Sequence, residues 1–141
     1  MPKSKSPNTH APDATARRLI KLARAAMKNA YAPYSDFHVG AAILLKDGRT
    51  FTGCNIENAS YGLTICAERN AIFSAVAASK RKPELAAVAV VNHRAIACSP
   101  CGACRQVIAE FGREALVWYL GPGGFISRPI SELLVDGFTF D

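Results

Sequence analysis

The stretch Leu85 to Val91, LAAVAVV, restricts the fold of this chain more than any other. A continuous apolar run of strand length marks a central strand covered on both faces, because a half-exposed strand would alternate with polar residues. Such a strand needs a helical layer on each side of its sheet. The rest of the chain must therefore supply helices before and after it.

The flanking segments meet that need. From Asp13 a helix is predicted, with Leu19, Leu22, Ala23, Ala26 and Met27 on one face and Lys21, Arg24 and Lys28 on the other, ending before Pro33. Val39 to Leu45 and Thr50 to Asn55 read as strands joined by Lys46-Asp47-Gly48-Arg49, whose Asp-Gly pair signals a hairpin. Ile56 to Thr64 reads as a loop. An alanine-rich helix follows, with Cys66 in its first turn and Ala67, Ala71, Phe73 and Ala75 in its apolar pattern.

After the central strand, a helix is expected with Pro100 in its first turn and Val107, Ile108 and Phe111 as core stripe, closed by Gly112. Strands at Leu116 to Leu120 and Phe125 to Arg128 and a helical turn at Ser131 to Leu134 complete the order αββαβαββα. This predicts one α/β domain over residues 13–141, with three layers and a mixed five-stranded sheet carrying helices on both faces. Residues 1–12, with three prolines and no apolar periodicity, read as a disordered tail.

Seventeen Lys and Arg against eleven Asp and Glu give a net charge of +6. Residues 1–18 hold four bases and one acid, which leaves thirteen against ten, or +3, for the remainder. With no aromatic-basic interleaving, a nucleic-acid partner is not expected. No apolar stretch approaches the roughly 18 residues of a membrane span, so no membrane partner is expected either. The N-terminus lacks the apolar centre of a secretory signal, and its prolines spoil an amphipathic transit helix, so a cytoplasmic location is expected.

Five cysteines, three of them within seven residues, point to metal or redox chemistry rather than a disulfide framework. Cys66-Ala67-Glu68 and Pro100-Cys101-Gly102-Ala103-Cys104 both open predicted helices. The positive end of a helix dipole favours thiolate, the form that binds metal. Zinc held by three protein ligands keeps a fourth position for water, and Glu68, two residues after Cys66, can reach that water. Cys101-x-x-Cys104 alone could equally be a redox pair; the two segments together match the zinc deaminase pattern, with Cys66 in place of its His.

The chain resembles the short, homotetrameric cytidine deaminases along nearly its whole folded length. The stretches YAPYSDFHVGAA (31–42), GCNIENASYG (53–62), ICAERNA (65–71) and SPCGACRQV (99–107) carry the resemblance. It implies one zinc per chain on Cys66, Cys101 and Cys104, with Glu68 as proton shuttle and Arg69 hydrogen-bonded to the ligand sulfurs. It also implies Asn55 and Glu57 on the ribose, Phe37 against the base, and Ala67 and Tyr61 in the substrate site. Phe138, preferred to Phe140, is expected to reach a neighbouring chain's site. The activity implied is hydrolytic deamination of cytidine and deoxycytidine in pyrimidine salvage.

Other readings of the same residues predict different outcomes. A deaminase of the blasticidin S type shares the zinc motifs, and a nucleic-acid-editing cytosine deaminase would use the same chemistry on a flipped base. Asn55 and Glu57 could be a solvated strand end, Tyr34 a core aromatic, and Cys54 and Cys98 small buried hydrophobes. Residues 92–98 depart in composition from the family pattern and adjoin the ligand loop.

Overall fold

Asp13 starts the first helix, its Oδ1 accepting the Ala16 N–H at 2.8 Å. The computed structural model describes residues 11–140. Apart from its last two residues, the expected disordered tail lies outside the described residues, as does Asp141. The elements are α1 (Ala14–Met27), β1 (Val39–Leu45), β2 (Thr50–Cys54), α2 (Ala67–Ala77), β3 (Leu85–Asn92), α3 (Gly102–Phe111), β4 (Leu116–Gly121), β5 (Gly124–Pro129) and α4 (Ile130–Leu133), with a single 3₁₀ turn at Tyr61–Leu63.

The sheet has the order β2-β1-β3-β4-β5. Among the strand pairs of the described residues only β3–β4 is parallel, and α3 makes its crossover. The β1–β2 turn forms at Asp47-Gly48: Gly48 takes φ +92°, and Asp47 Oδ1 accepts the Arg49 N–H at 3.0 Å. The expected three-layer mixed sheet is the one observed.

Alternation along β3 explains why it is apolar throughout. Val88 and Val90 join Ala41, Ile43, Ile72, Ile108 and Ile130 in the core beneath α2, α3 and α4. Ala87, Ala89 and Val91 join Ala42, Trp118 and the α1 residues Ala16, Leu19, Ile20 and Ala23 on the other face. Leu19 is 1% exposed, so Leu19→Ala should cost about 2–5 kcal/mol.

Two glycines set how closely the helices approach. A Cβ on Gly40 would strike the Ala23 carbonyl of α1, and one on Gly53 would strike the Ala71 nitrogen and Ala67 carbonyl of α2. Each motif glycine thus seats one helix on the sheet.

Several sequence expectations need correction. The buried face of α1 runs through Ala16 and Ile20, while Leu22 and Ala26 lie at its margin. Phe73 faces outward from α2. Cys66 is the N-cap of α2 rather than a residue of its first turn, and Pro100 precedes the Cys101 N-cap of α3. Pro100 fits better there, because it is fully buried and its carbonyl accepts a side-chain bond from Arg105.

Candidate active site

The carboxyl end of β3 lies beside the start of β1, because Val39 pairs with Asn92. The loops before β1, after β2 and after β3 therefore meet at one rim, and α2 and α3 begin there. Crevices outside the carboxyl ends of strands are the usual ligand sites of such sheets.

Cys66 and Cys101 cap α2 and α3 without using their side chains as caps. Both thiols are left free at positive helix ends. Cys104, in the first turn of α3, completes the cluster, and the three Sγ atoms lie within 4.8 Å of one another. Cys66 and Cys101 are 3.7 Å apart at sulfur. Tetrahedral zinc with Zn–S bonds of about 2.3 Å has sulfur–sulfur edges of about 3.8 Å, so the donor set fits the ion.

The electrostatics favour a bound cation. The hydrogen bond from Cys104, with Arg69 and Cys101 adding to it, holds the Cys66 thiol down at about 5. Sharing that proton with Cys66 holds Cys104 on the protonated side, reinforced by its burial. Arg69 Nη2 donates to Cys66 Sγ at 3.5 Å, and its guanidinium is held charged by that bond. Arg69 Nε is buried without a hydrogen-bond partner among the described residues, so the guanidinium engages the cluster through Nη2.

Glu68 is buried, and burial pushes its carboxyl up to about 7. Its Oε2 lies 3.6 Å from Cys104 Sγ, an alternative acceptor for the one thiol proton that Cys104 shares with Cys66. A carboxyl that changes protonation state near neutral pH is suited to general acid and base work.

Asn55 is not a solvated strand end. It is 9% exposed, its Nδ2 donates to the Phe37 carbonyl at 2.7 Å, and its Oδ1 accepts the Val39 N–H at 2.8 Å. Glu57 accepts the Tyr34 and Ser35 N–H groups at 2.9 and 3.1 Å, and hydrogen bonding led by the Ser35 side chain lowers its pKa. These two side chains anchor the loop that presents Phe37. Tyr34, expected in the core, is 51% exposed and packs edge-on against the exposed Tyr61 at 6.0 Å. The aromatic pair lines the rim because Glu57 pulls the backbone at Tyr34 toward the loop after β2.

Ala67 is fully buried beside the cluster at the start of α2. Phe138 accepts at its carbonyl from Gln106 Nε2 at 3.0 Å, and its ring meets Phe140 at 5.0 Å. With Ile130, Leu134, Ala109 and Gln106 it borders a cavity of about 620 Å³ behind α3. Cys54 and Cys98 are half-buried rather than core residues. Burial raises both thiols, and the charges of Glu68, Cys66 and Cys101 raise Cys98 further.

One functional tie escaped the sequence. Arg105 donates from Nε to the Pro100 carbonyl at 2.8 Å, from Nη1 to the Leu133 carbonyl at 2.9 Å and from Nη2 to Ser99 Oγ at 3.0 Å. Its place directly after Cys104 was a signal of proximity, but the tie depends on α4, 28 residues further on.

A layered sheet with three thiols and a buried carboxyl at two helix starts has the donor set of a zinc site with an acid–base group beside it. The model of the cytidine and deoxycytidylate deaminase zinc-binding region matches residues 13–120, and the chain belongs to that family. A cytidine deaminase from Halalkalibacterium halodurans is 50% identical over 123 residues, 86% of this chain and 92% of the relative. The crystal structure of cytidine deaminase from Burkholderia pseudomallei superposes with a TM-score of 0.80 at 50% identity, covering 86% of this chain and 98% of that one. A blasticidin-S deaminase from Bacillus cereus is more distant, 32% identical over 130 residues, 85% of this chain and 91% of the relative.

Proposed function

We propose that this chain hydrolyses cytidine and deoxycytidine to uridine and deoxyuridine with release of ammonia. The observation that carries this reading is the buried Glu68 carboxyl, hydrogen-bonded to Cys104 beside a three-thiol cluster of zinc geometry. Cys66, Cys101 and Cys104 hold one zinc, which when bound supplies Lewis acidity and a water acidified toward pH 7. Glu68 moves the protons. Its carboxylate takes one from the attacking water and delivers it to ring nitrogen 3, making carbon 4 electrophilic. Once the hydroxyl has bonded to carbon 4, Glu68 carries that hydroxyl's proton to the amino group, and the C–N bond breaks with release of ammonia rather than an amide ion.

Phe37 offers the base an aromatic face, and Glu57 offers the sugar hydroxyls a carboxylate. Asn55 contributes by holding the Phe37 loop, a role its two backbone bonds support better than direct and exclusive contact with the ribose. Ala67 and Tyr61 border the same space. A site built from such polar groups disfavours substrates that leave them unpaired. Steady-state assays of the zinc-loaded protein on cytidine, deoxycytidine, blasticidin S and a cytosine-containing oligonucleotide test the reading. Turnover of the two nucleosides alone is expected, and preference for either of the others would overturn it.

The working form in this proposal is a homotetramer in the cytoplasm, acting in pyrimidine salvage. Exposed Tyr61, Phe73, Phe138 and Phe140 support a contact surface, and five free cysteines suit a reducing compartment. The alanines of α2 support it less than the sequence suggested, because Ala67, Ala71 and Ala75 are buried within their own chain. No helix among the described residues is long and apolar enough to cross a membrane. Light scattering should give about four times the 15.1 kDa chain mass. Mixing inactive Glu68→Gln and Phe138→Ala chains should restore some activity if Phe138 completes a neighbour's site.

A further inference from the structure

We propose that His93 is a positioning residue for substrate affinity, acting through Phe37. His93 follows β3 and is joined to the Phe37 loop by two hydrogen bonds. Its backbone N–H donates to the His38 carbonyl at 3.0 Å, and its ring Nδ1 accepts the His38 backbone N–H at 3.1 Å. For Nδ1 to accept, the neutral imidazole carries its hydrogen on Nε2. The ring also packs against its surroundings: its centroid lies 6.0 Å from that of Phe37 and 5.1 Å from that of His38.

The loop needs such a brace. Asp36, immediately before Phe37, takes φ +51°, a left-handed conformation uncommon outside glycine that Asp adopts more readily than most residues. Ala95, across in the loop carrying His93, is also at φ +51°. The two loops restrain each other: Arg94 Nη2 donates to the Asp36 carbonyl at 3.3 Å, with its guanidinium 5.7 Å over the Phe37 ring. Asn55 holds the Phe37 carbonyl from the opposite side of the chain. His93 bonds the backbone just after Phe37 and packs against its ring, as Arg94 does on the preceding side. It therefore limits how far the ring can swing, and binding benefits when the ring is already in place.

The inference rests on the reading that Phe37 lies against the base, and a double-mutant cycle separates the two. His93→Leu removes the acceptor at similar volume, and His93→Asn offers Oδ1 near the position of Nδ1. With cytidine as substrate, His93→Leu should raise KM about three- to tenfold, the loss of one positioning hydrogen bond, with kcat and zinc content within twofold of the parent. His93→Asn should restore KM to within twofold. In a Phe37→Ala background, His93→Leu should add less than twofold, because the ring it positions is gone. If Phe37→Ala raises KM while His93→Leu leaves it unchanged, or while His93→Asn is as impaired as His93→Leu at an unchanged Tm, the role of His93 is overturned. If Phe37→Ala itself leaves KM unchanged, the base-contact reading fails, and this inference with it.

Discussion

The carboxyl of Glu68 and the thiol of Cys104, 36 residues apart in the chain, meet at 3.6 Å. Helices α2 and α3 begin at the same rim of the sheet, so the buried Glu68, the proposed proton carrier, meets the three thiols there. The first consequence concerns rate. Glu68→Gln should retain one zinc by elemental analysis yet lose about 10²- to 10⁴-fold in kcat on cytidine. Near-parental turnover by the zinc-loaded variant would assign the proton transfers to another group.

A second consequence concerns stability in the metal-free protein. Burial raises the Glu68 carboxyl from 4.5 to about 7 in the folded state. Between those values the folded chain keeps a proton that the unfolded chain has released, so folding is progressively disfavoured as pH rises through that window. The effect is on the order of 3 kcal/mol once pH exceeds 7. Glu68→Gln removes it. Thermal melts of the zinc-stripped proteins should therefore show the variant gaining over the parent at pH 8 but not at pH 4.5, and an equal gap at both would contradict the buried ionisation.

Thiol reactivity after zinc removal offers a third check. Cys66 is held down at about 5, whereas Cys54 and Cys98 are raised. Since the thiolate is the nucleophile, Cys66 should alkylate well before Cys54 and Cys98 at pH 6 to 7, and bound zinc should protect it. Peptide mass spectrometry after a short iodoacetamide pulse reads the order.

Cys98 precedes Cys101 by three residues without being one of the three converging thiols. Cys98→Ala and Cys54→Ala should each keep one zinc per chain, while Cys104→Ala should lose most of it. A Cys98→Ala protein without zinc would replace the ligand assignment.

Asn55 is the buried link between β2 and the Phe37 loop. Asn55→Ala leaves the partly buried Phe37 carbonyl and Val39 N–H without this partner, which should lower stability by about 1 kcal/mol and raise KM for cytidine. Calorimetry and steady-state kinetics on the same sample check both parts, and an unchanged Tm would return Asn55 to a purely sugar-contacting role.

The strands, the turn at Gly48 and the zinc thiols were legible in the sequence because their signals are local. An apolar run, an Asp-Gly pair and cysteines opening two helices each act within a few residues. Helix α2 shows where such signals stop. Its alanine-rich sequence has little contrast between faces, so only packing against Gly53 decided that Ala71 turns inward and Phe73 outward. The same holds at the rim of the site. Asn55 and Arg105 could be placed near it by motif, but their bonds to Phe37, Val39 and Leu133 exist only because distant segments are brought together. The bracket of His93 and His38 depends on the β1–β3 register that sets Val39 opposite Asn92. A shift of one residue would carry alternate side chains to the other face of the sheet, and no local propensity specifies which pair across 55 positions will meet.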